Sequence, residues 1–139
     1  MRRGALNSYK ETKVTTATQS KLIIMLYDEA IRRIDIAVEA VKSKKAKDIS
    51  HNAYIKSQDC ISELMVSLDL EKGGEIAQNL FSLYNYFNKE LLDANTHNKP
   101  EKALEVRNMM NDLRGSWIAI SGKTQYETSK DRVGINIAG

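Results

Sequence analysis

Residues 68–87 read LDLEKGGEIAQNLFSLYNYF. Two adjacent glycines, Gly73 and Gly74, interrupt apolar residues that otherwise recur at helical spacing. The pair does not fit a phosphate-binding loop. GxxxxGK(S/T) spacing is missing, no strand-like run precedes it, and Lys72 comes before the glycines. It fits a reversal between two helices. After it, Glu75 sets a carboxylate at the positive end of a helix. Ile76, Leu80, Leu83, Tyr84, Phe87, Leu91 and Ala94 form the main face of that helix. Before it, a helix runs from about Asp48 to Leu68, with Ile49, Ala53, Cys60, Ile61, Leu64 and Leu68 as its stripe. Tyr54, Ile55, Met65 and Val66 fall partly off that stripe.

Working outward, Thr16 and Gln19 fit a capping box, so a first helix follows them. Leu22, Leu26, Ile34, Val38 and Val41 lie on its overlapping apolar faces, widened by Ile23, Tyr27, Ala30, Ile31 and Ala37. The run KSKKAK at 42–47 ends it and reads as a solvated connection, with a nucleic-acid patch as the alternative. Downstream, residues 95–99 form a break. Asn98 is a candidate N-cap, Pro100 suits a first turn, and Glu101 sits three residues past the cap. Ala103, Val106, Met110, Leu113, Trp117 and Ile120 then alternate at three- and four-residue spacing, the seam of a helix packed lengthwise. Gly122 reads as its stop.

The expectation is therefore an all-α, antiparallel four-helix bundle over residues 16–122. A mobile N-terminal arm (1–15) precedes it, and a tail (123–139) that is disordered by default follows it. A single proline in 139 residues argues against a turn-rich β protein. The lone Cys60 excludes an internal disulfide and fits a reducing cytoplasm. No apolar stretch follows Arg2 and Arg3 as in a signal peptide, and none is long enough to span a bilayer, so neither secretion by that route nor membrane insertion is expected. A net charge of +3 is too small to argue for nucleic acid.

Catalytic chemistry is also missing. A bundle can hold two metal ions between paired Glu-x-x-His motifs, but only His51 and His97 are present and neither has that partner. Cys60 lies on a core-facing stripe, and spacing alone supports no Ser/His/Asp grouping. No enzyme activity, metal or cofactor is expected. What remains is an excess of apolar residues off the main stripes: Tyr54, Ile55, Met65 and Val66 on the second helix, Phe81, Tyr86 and Leu92 on the third, and Leu104, Met109 and Ile118 on the fourth. A small bundle needs one stripe per helix. The surplus marks either a thick core, a dimer contact, or a groove for an amphipathic partner helix.

Five blocks carry a resemblance: SYKET (8–12), LIIMLYDEAI (22–31), SQDCISELMVSLDLEKGGEIAQNLFSLYNYF (57–87), LLDAN (91–95) and LEVRNMMNDLRGSW (104–117). In wording, order and spacing they resemble the flagellin-specific export chaperones, the FliS family, over about Tyr9 to Ile120. Two departures fall on the first helix. The proline common near Thr18-Gln19 is missing, and Glu29 stands where a glycine often follows the LYD triplet.

The resemblance implies a cytoplasmic chaperone that binds the C-terminal segment of flagellin in hydrophobic grooves. It keeps flagellin from polymerising and delivers it to the flagellar type III export apparatus, where an export-gate protein recognises the loaded complex. It also implies that the N-terminal segment covers part of the groove when flagellin is absent. On that basis the groove is expected on helices two to four, with Tyr54, Ile61, Met65, Leu80, Leu83, Tyr84 and Leu91 as contacts and Tyr9 in the covering arm. The alternative is a helical scaffold or regulator that dimerises through its surplus apolar surface, and the unloaded chaperone is open to the same homodimerisation.

Overall fold

A computed structural model describes the backbone of residues 16–138 and the side chains of residues 19–122. It contains four helices: α1 Thr16–Lys42, α2 Lys47–Ser67, α3 Gly74–Thr96 and α4 Pro100–Ala138. The chain divides into two units, one of Leu26–Asp112 and one of Met1–Met25 with Leu113–Gly139. All-α character is as expected, and no strand occurs among the described residues. The expected arm, Tyr9 included, lies outside the described residues.

Within Leu26–Asp112, consecutive helices run antiparallel. His51 meets Asn95, Gln58 meets the Asn88 carbonyl and Ser62 meets the Asn88 amide, so residues nearer the turn on α2 face residues nearer the turn on α3. Lys102 on α4 reaches Asp93 on α3 at 2.6 Å, and Arg107 on α4 reaches Asp35 on α1 at 3.4 Å. The core is built from Tyr27, Ala30, Ile34, Ala37 and Ala40 of α1, Ala53, Tyr54, Cys60, Ile61 and Leu64 of α2, Ala77, Tyr84, Phe87, Leu91 and Ala94 of α3, and Ala103, Val106 and Met110 of α4. The small α1 residues let α2 approach closely enough for the fully buried Ser57 hydroxyl to donate to the Ala30 carbonyl at 2.9 Å. Across the core, the hydroxyls of Tyr27 and Tyr84 share a hydrogen bond of 2.7 Å, with the rings edge to face.

Glu29 is a surface residue that accepts from Arg32 and Arg33 on its own helix. The Arg32 hydrogen bond, with Arg33 adding to it, holds the Glu29 carboxyl below its ordinary range. The departure from the family pattern is thus absorbed locally.

Two turns share one design. The Lys45 N–H reaches the Ala40 carbonyl and the Lys44 N–H the Val41 carbonyl, with Lys44 left-handed at φ 54°. At the end of α3 the Lys99 N–H reaches the Ala94 carbonyl, with Asn98 left-handed at φ 52°. Both are Schellman-type helix stops. Asn98 therefore terminates α3 instead of capping α4, which Pro100 opens directly. The third turn, residues 68–73, is organised by Asp69, whose side chain accepts from the N–H groups of Glu71 and Lys72 and whose carbonyl accepts from Gly73. Each glycine there has its own reason. A Cβ on Gly73 would lie 2.5 Å from the Ala77 Cβ, and Gly74 holds a φ of +56°.

One expectation fails in α4. Gly122 does not stop the helix, and the backbone of the segment expected to be disordered is helical to Ala138. A helix-ending glycine acts through positive φ, and Gly74 is the only described glycine that has it. With no proline in residues 123–138, nothing in the sequence forces a break. In the unit that includes Leu113–Gly139, Ser20 and Ser121 are buried, Leu113 and Trp117 half-buried, and Met25, Ile118 and Ile120 exposed.

Glycine replacements should separate these roles in urea unfolding. Gly73→Ala is expected to cost about 1–3 kcal/mol through overpacking, and Gly74→Ala about 1–2 kcal/mol through left-handed strain. Gly115, in mid-helix with open space around it, should gain about 0.5–1 kcal/mol on Gly115→Ala. Equal effects at all three positions would contradict the turn geometry.

Candidate partner-binding surface

The eight residues expected to take part in partner binding, seven in the groove and Tyr9 in the covering arm, divide sharply. Tyr54, Ile61, Tyr84 and Leu91 are core residues, at 1% exposure or less. In this structure they face the core and not an open groove. Met65, Leu80 and Leu83 are half-buried. Tyr9 lies outside the described residues. The antiparallel register carries Met65 level with Leu83, and Met65 Sδ lies 4.0 Å from the Asn88 amide nitrogen. Met65 thus falls at the margin of the α2–α3 pair, and all three residues lie toward the double-glycine turn.

The physical reason for the division is angular. A stripe read from one helix fixes directions about its own axis, not which neighbour fills each direction. Tyr54 appeared off the stripe of α2 because Ala53 and Ile61 define its centre, yet its ring is buried. Its hydroxyl has no hydrogen-bond partner. Burial, with the Glu101 carboxylate adding to it, pushes its ionisation up and keeps it an O–H donor.

Many of the exposed apolar residues come from the surplus noted in the sequence, although Ile49 and Ile120, read as stripe residues, are exposed as well. Ile55, Val66, Phe81, Tyr86 and Leu92 are exposed, with Val66 at 58%; Ile76, read as core, is open at 74% because it sits in the first turn of α3. Two rows are formed. Ile55, Ser62 and Val66 share a face of α2 at spacings of seven and four; Phe81, Asn88 and Leu92 share a face of α3 at the same spacings. The Asn88 amide donates to the Ser62 hydroxyl at 3.2 Å and ties the rows together. The register sets Val66 level with Phe81 on one side of that bond and Ile55 level with Leu92 on the other. Each row spans twelve residues, whose eleven steps rise about 16 Å along the helix. The Gln58 Oε1 and Asn88 Oδ1 atoms are buried beside it without partners. The signal that finds Val66, Phe81 and Leu92 is their apolar character off the main stripe.

The arrangement offers apolar anchors and a central polar bond, with no group placed for bond making or breaking. Among the described residues no cluster of three or more His, Cys, Asp or Glu gathers as a metal site. None of the described helices is long and apolar enough to cross a membrane.

Known proteins give the surface its context. The profile of a family described as flagellar protein FliS matches residues 1–124. The flagellar secretion chaperone FliS of Salmonella typhimurium is 32% identical over 130 residues, covering 86% of this chain and 89% of that protein. Its counterpart in Bacillus subtilis is 29% identical over 110 residues, covering 79% and 80%. That of Escherichia coli is 32% identical over 110 residues, covering 77% and 79%.

Core and surface assignments can be separated by substitution. Tyr84→Asp buries a carboxylate and breaks the Tyr27 hydrogen bond, so it should abolish cooperative thermal unfolding. Phe81→Asp should leave the melting temperature within a few degrees, about 0.5 kcal/mol or less. Tyr54→Phe removes an unpartnered buried hydroxyl and should raise stability by about 1 kcal/mol. A destabilised Tyr54→Phe variant would mean that the hydroxyl has a partner.

Proposed function

The chain belongs to the flagellar protein FliS family, and from that premise we propose that it is an export chaperone for flagellin. Members of this family named above are secretion chaperones, not enzymes. In our reading, residues 16–122 form the chaperone domain. It binds the C-terminal segment of flagellin in the cytoplasm, keeps it from polymerising, and delivers it to the export-gate protein of the flagellar type III apparatus.

The observation that supports this most is the paired apolar rows of α2 and α3, Ile55 and Val66 beside Phe81 and Leu92. Half-buried Met65, beside Asn88, continues the surface toward the double-glycine turn. A flagellin terminal segment that is disordered alone must be ordered on binding, at an entropic cost. Burying the apolar face of a short helix against these rows offsets that cost. The same apolar stripes drive filament assembly, so covering them prevents it. Methionine at position 65 suits a surface that adapts to its partner. The arm, residues 1–15 with Tyr9, covers part of this surface in the unloaded protein. The exposed rows also give the unloaded chain a means to pair with a second copy.

Calorimetric titration with a synthetic flagellin C-terminal peptide tests the reading. Wild-type protein should bind, and Phe81→Asp or Leu92→Asp should weaken binding by about tenfold or more, at least 1.4 kcal/mol, without loss of fold. Wild-type protein that ignores the peptide would overturn the chaperone reading. Folded variants with unchanged affinity would move the groove elsewhere.

Deleting residues 1–15 should leave the bundle folded and tighten peptide binding, because a competing cover is gone. Unchanged affinity would remove the arm from this role. Size-exclusion chromatography over a range of concentrations should show any dimer of the free protein dissociating when the peptide is added.

A further inference from the structure

The serines of α2 do not all use their hydroxyls alike. Ser50 donates to the Lys47 carbonyl at 3.1 Å, Ser57 to the Ala30 carbonyl at 2.9 Å and Ser67 to the Leu64 carbonyl at 2.7 Å. Ser62, the remaining serine of the helix, donates to no described residue. It is exposed, and its one hydrogen bond among the described residues is the one it accepts from Asn88 across the apolar rows.

A third residue sets the direction of that bond. Asn88 Nδ2 lies 3.2 Å from Ser62 Oγ and 4.0 Å from Met65 Sδ. A thioether sulfur accepts weakly and has no proton to give, so the side of the amide that faces it is the NH₂ group. The two N–H bonds of that group serve the two α2 residues, and the Ser62 oxygen receives one of them. The Asn88 carbonyl accepts from Gln58 Nε2 at 3.2 Å, which holds α3 at this level of α2. The Ser62 proton is left for an acceptor outside the chain.

Water takes that proton while the strip is open. A partner helix that lies over Val66 and Phe81 on one side, and Ile55 and Leu92 on the other, excludes the water between them. The hydroxyl then finds an acceptor on the partner or loses a hydrogen bond it had in solvent, at a cost. Sites that bury a polar group in this way discriminate strongly against a ligand with nothing to pair with it.

We propose that Ser62 is the specificity-determining donor of this surface and that Asn88 is the residue that positions it. The partner helix supplies a side-chain oxygen, amide or carboxylate, between two apolar anchors. The anchors meet the two ends of the rows, about 16 Å apart, so the accepting residue falls within the eleven helical steps between them. The proposal rests on the chaperone reading of the rows. It adds to the apolar stripe of the flagellin segment a hydrogen-bond acceptor near its centre.

The test is a set of double-mutant cycles, read by calorimetric titration of the full-length chain. In a synthetic flagellin C-terminal peptide, each Asn, Gln, Asp and Glu is replaced in turn by Ala. Every peptide is titrated into wild type and into Ser62→Ala. At one peptide position the replacement should cost wild type about tenfold in affinity and cost Ser62→Ala little, because the donor is already gone. A coupled Asn or Gln assigns the acceptor as an amide, and a coupled Asp or Glu as a carboxylate. Ser62→Thr keeps the hydroxyl and should restore the coupling. Asn88→Asp offers no N–H, so Ser62 donates to the introduced carboxylate and the coupling should vanish although the hydroxyl remains. A merely structural role of Asn88 would weaken all peptides equally and leave the coupling intact, which would overturn its positioning role. Wild type that binds the peptide with no coupled position would overturn the proposal and leave the chaperone reading standing, the hydroxyl having turned back on the Gln58 carbonyl of its own helix. Wild type that does not bind the peptide would overturn both.

Discussion

The hydrogen bond between the Tyr27 and Tyr84 hydroxyls sets the frame of the Leu26–Asp112 unit. Two phenols on different helices lie fully within an apolar core, where a polar group without a partner is costly. At 2.7 Å the bond tolerates little sliding of α1 along α3. Ser57, donating to the Ala30 carbonyl, fixes α2 against α1 in the same way. With these registers set, Phe87, Leu91, Ile61 and Leu64 turn inward and the Ile55–Val66 and Phe81–Leu92 rows turn outward. The polar contacts inside the core thereby decide which apolar residues are left outside it.

Much of the fold is legible in the sequence because its boundaries are chemical. Gly73-Gly74, Pro100 and the lysine-rich connection mark the reversals. The alternating seam is buried at Ala103, Val106 and Met110, half-buried at Leu113 and Trp117, and exposed at Ile120. Gly122 misleads because glycine ends a helix only when the backbone there turns left-handed, and composition does not report φ. Asn98 misleads for a related reason: asparagine serves at either end of a helix, and only the Lys99–Ala94 hydrogen bond shows which end it closes.

The site is less legible than the fold. Apolar positions on α2 and α3 cover more than one face, so a single-helix stripe ranks Tyr54, Tyr84 and Leu91 with Met65 and Leu83. Only the packing of neighbours distinguishes a residue that closes the core from one that borders it. The family resemblance supplies the kind of partner but not the angle at which each side chain points. The surplus of apolar residues, by contrast, is visible without any neighbour, and it is this surplus that reaches the surface at Val66, Phe81 and Leu92.

The Ser62–Asn88 hydrogen bond interrupts an otherwise apolar strip near its middle. A greasy surface without such an interruption would accept a partner helix at many offsets, each one turn from the next. Here an offset that drives an aliphatic side chain onto the bonded pair strips it of water and offers nothing in return. The favoured offset is the one that spans the bond with a small or polar residue and sets larger side chains to either side. On the proposed chaperone reading the strip would measure its partner as well as hold it, and discrimination among similar helices would come from what the bond rejects.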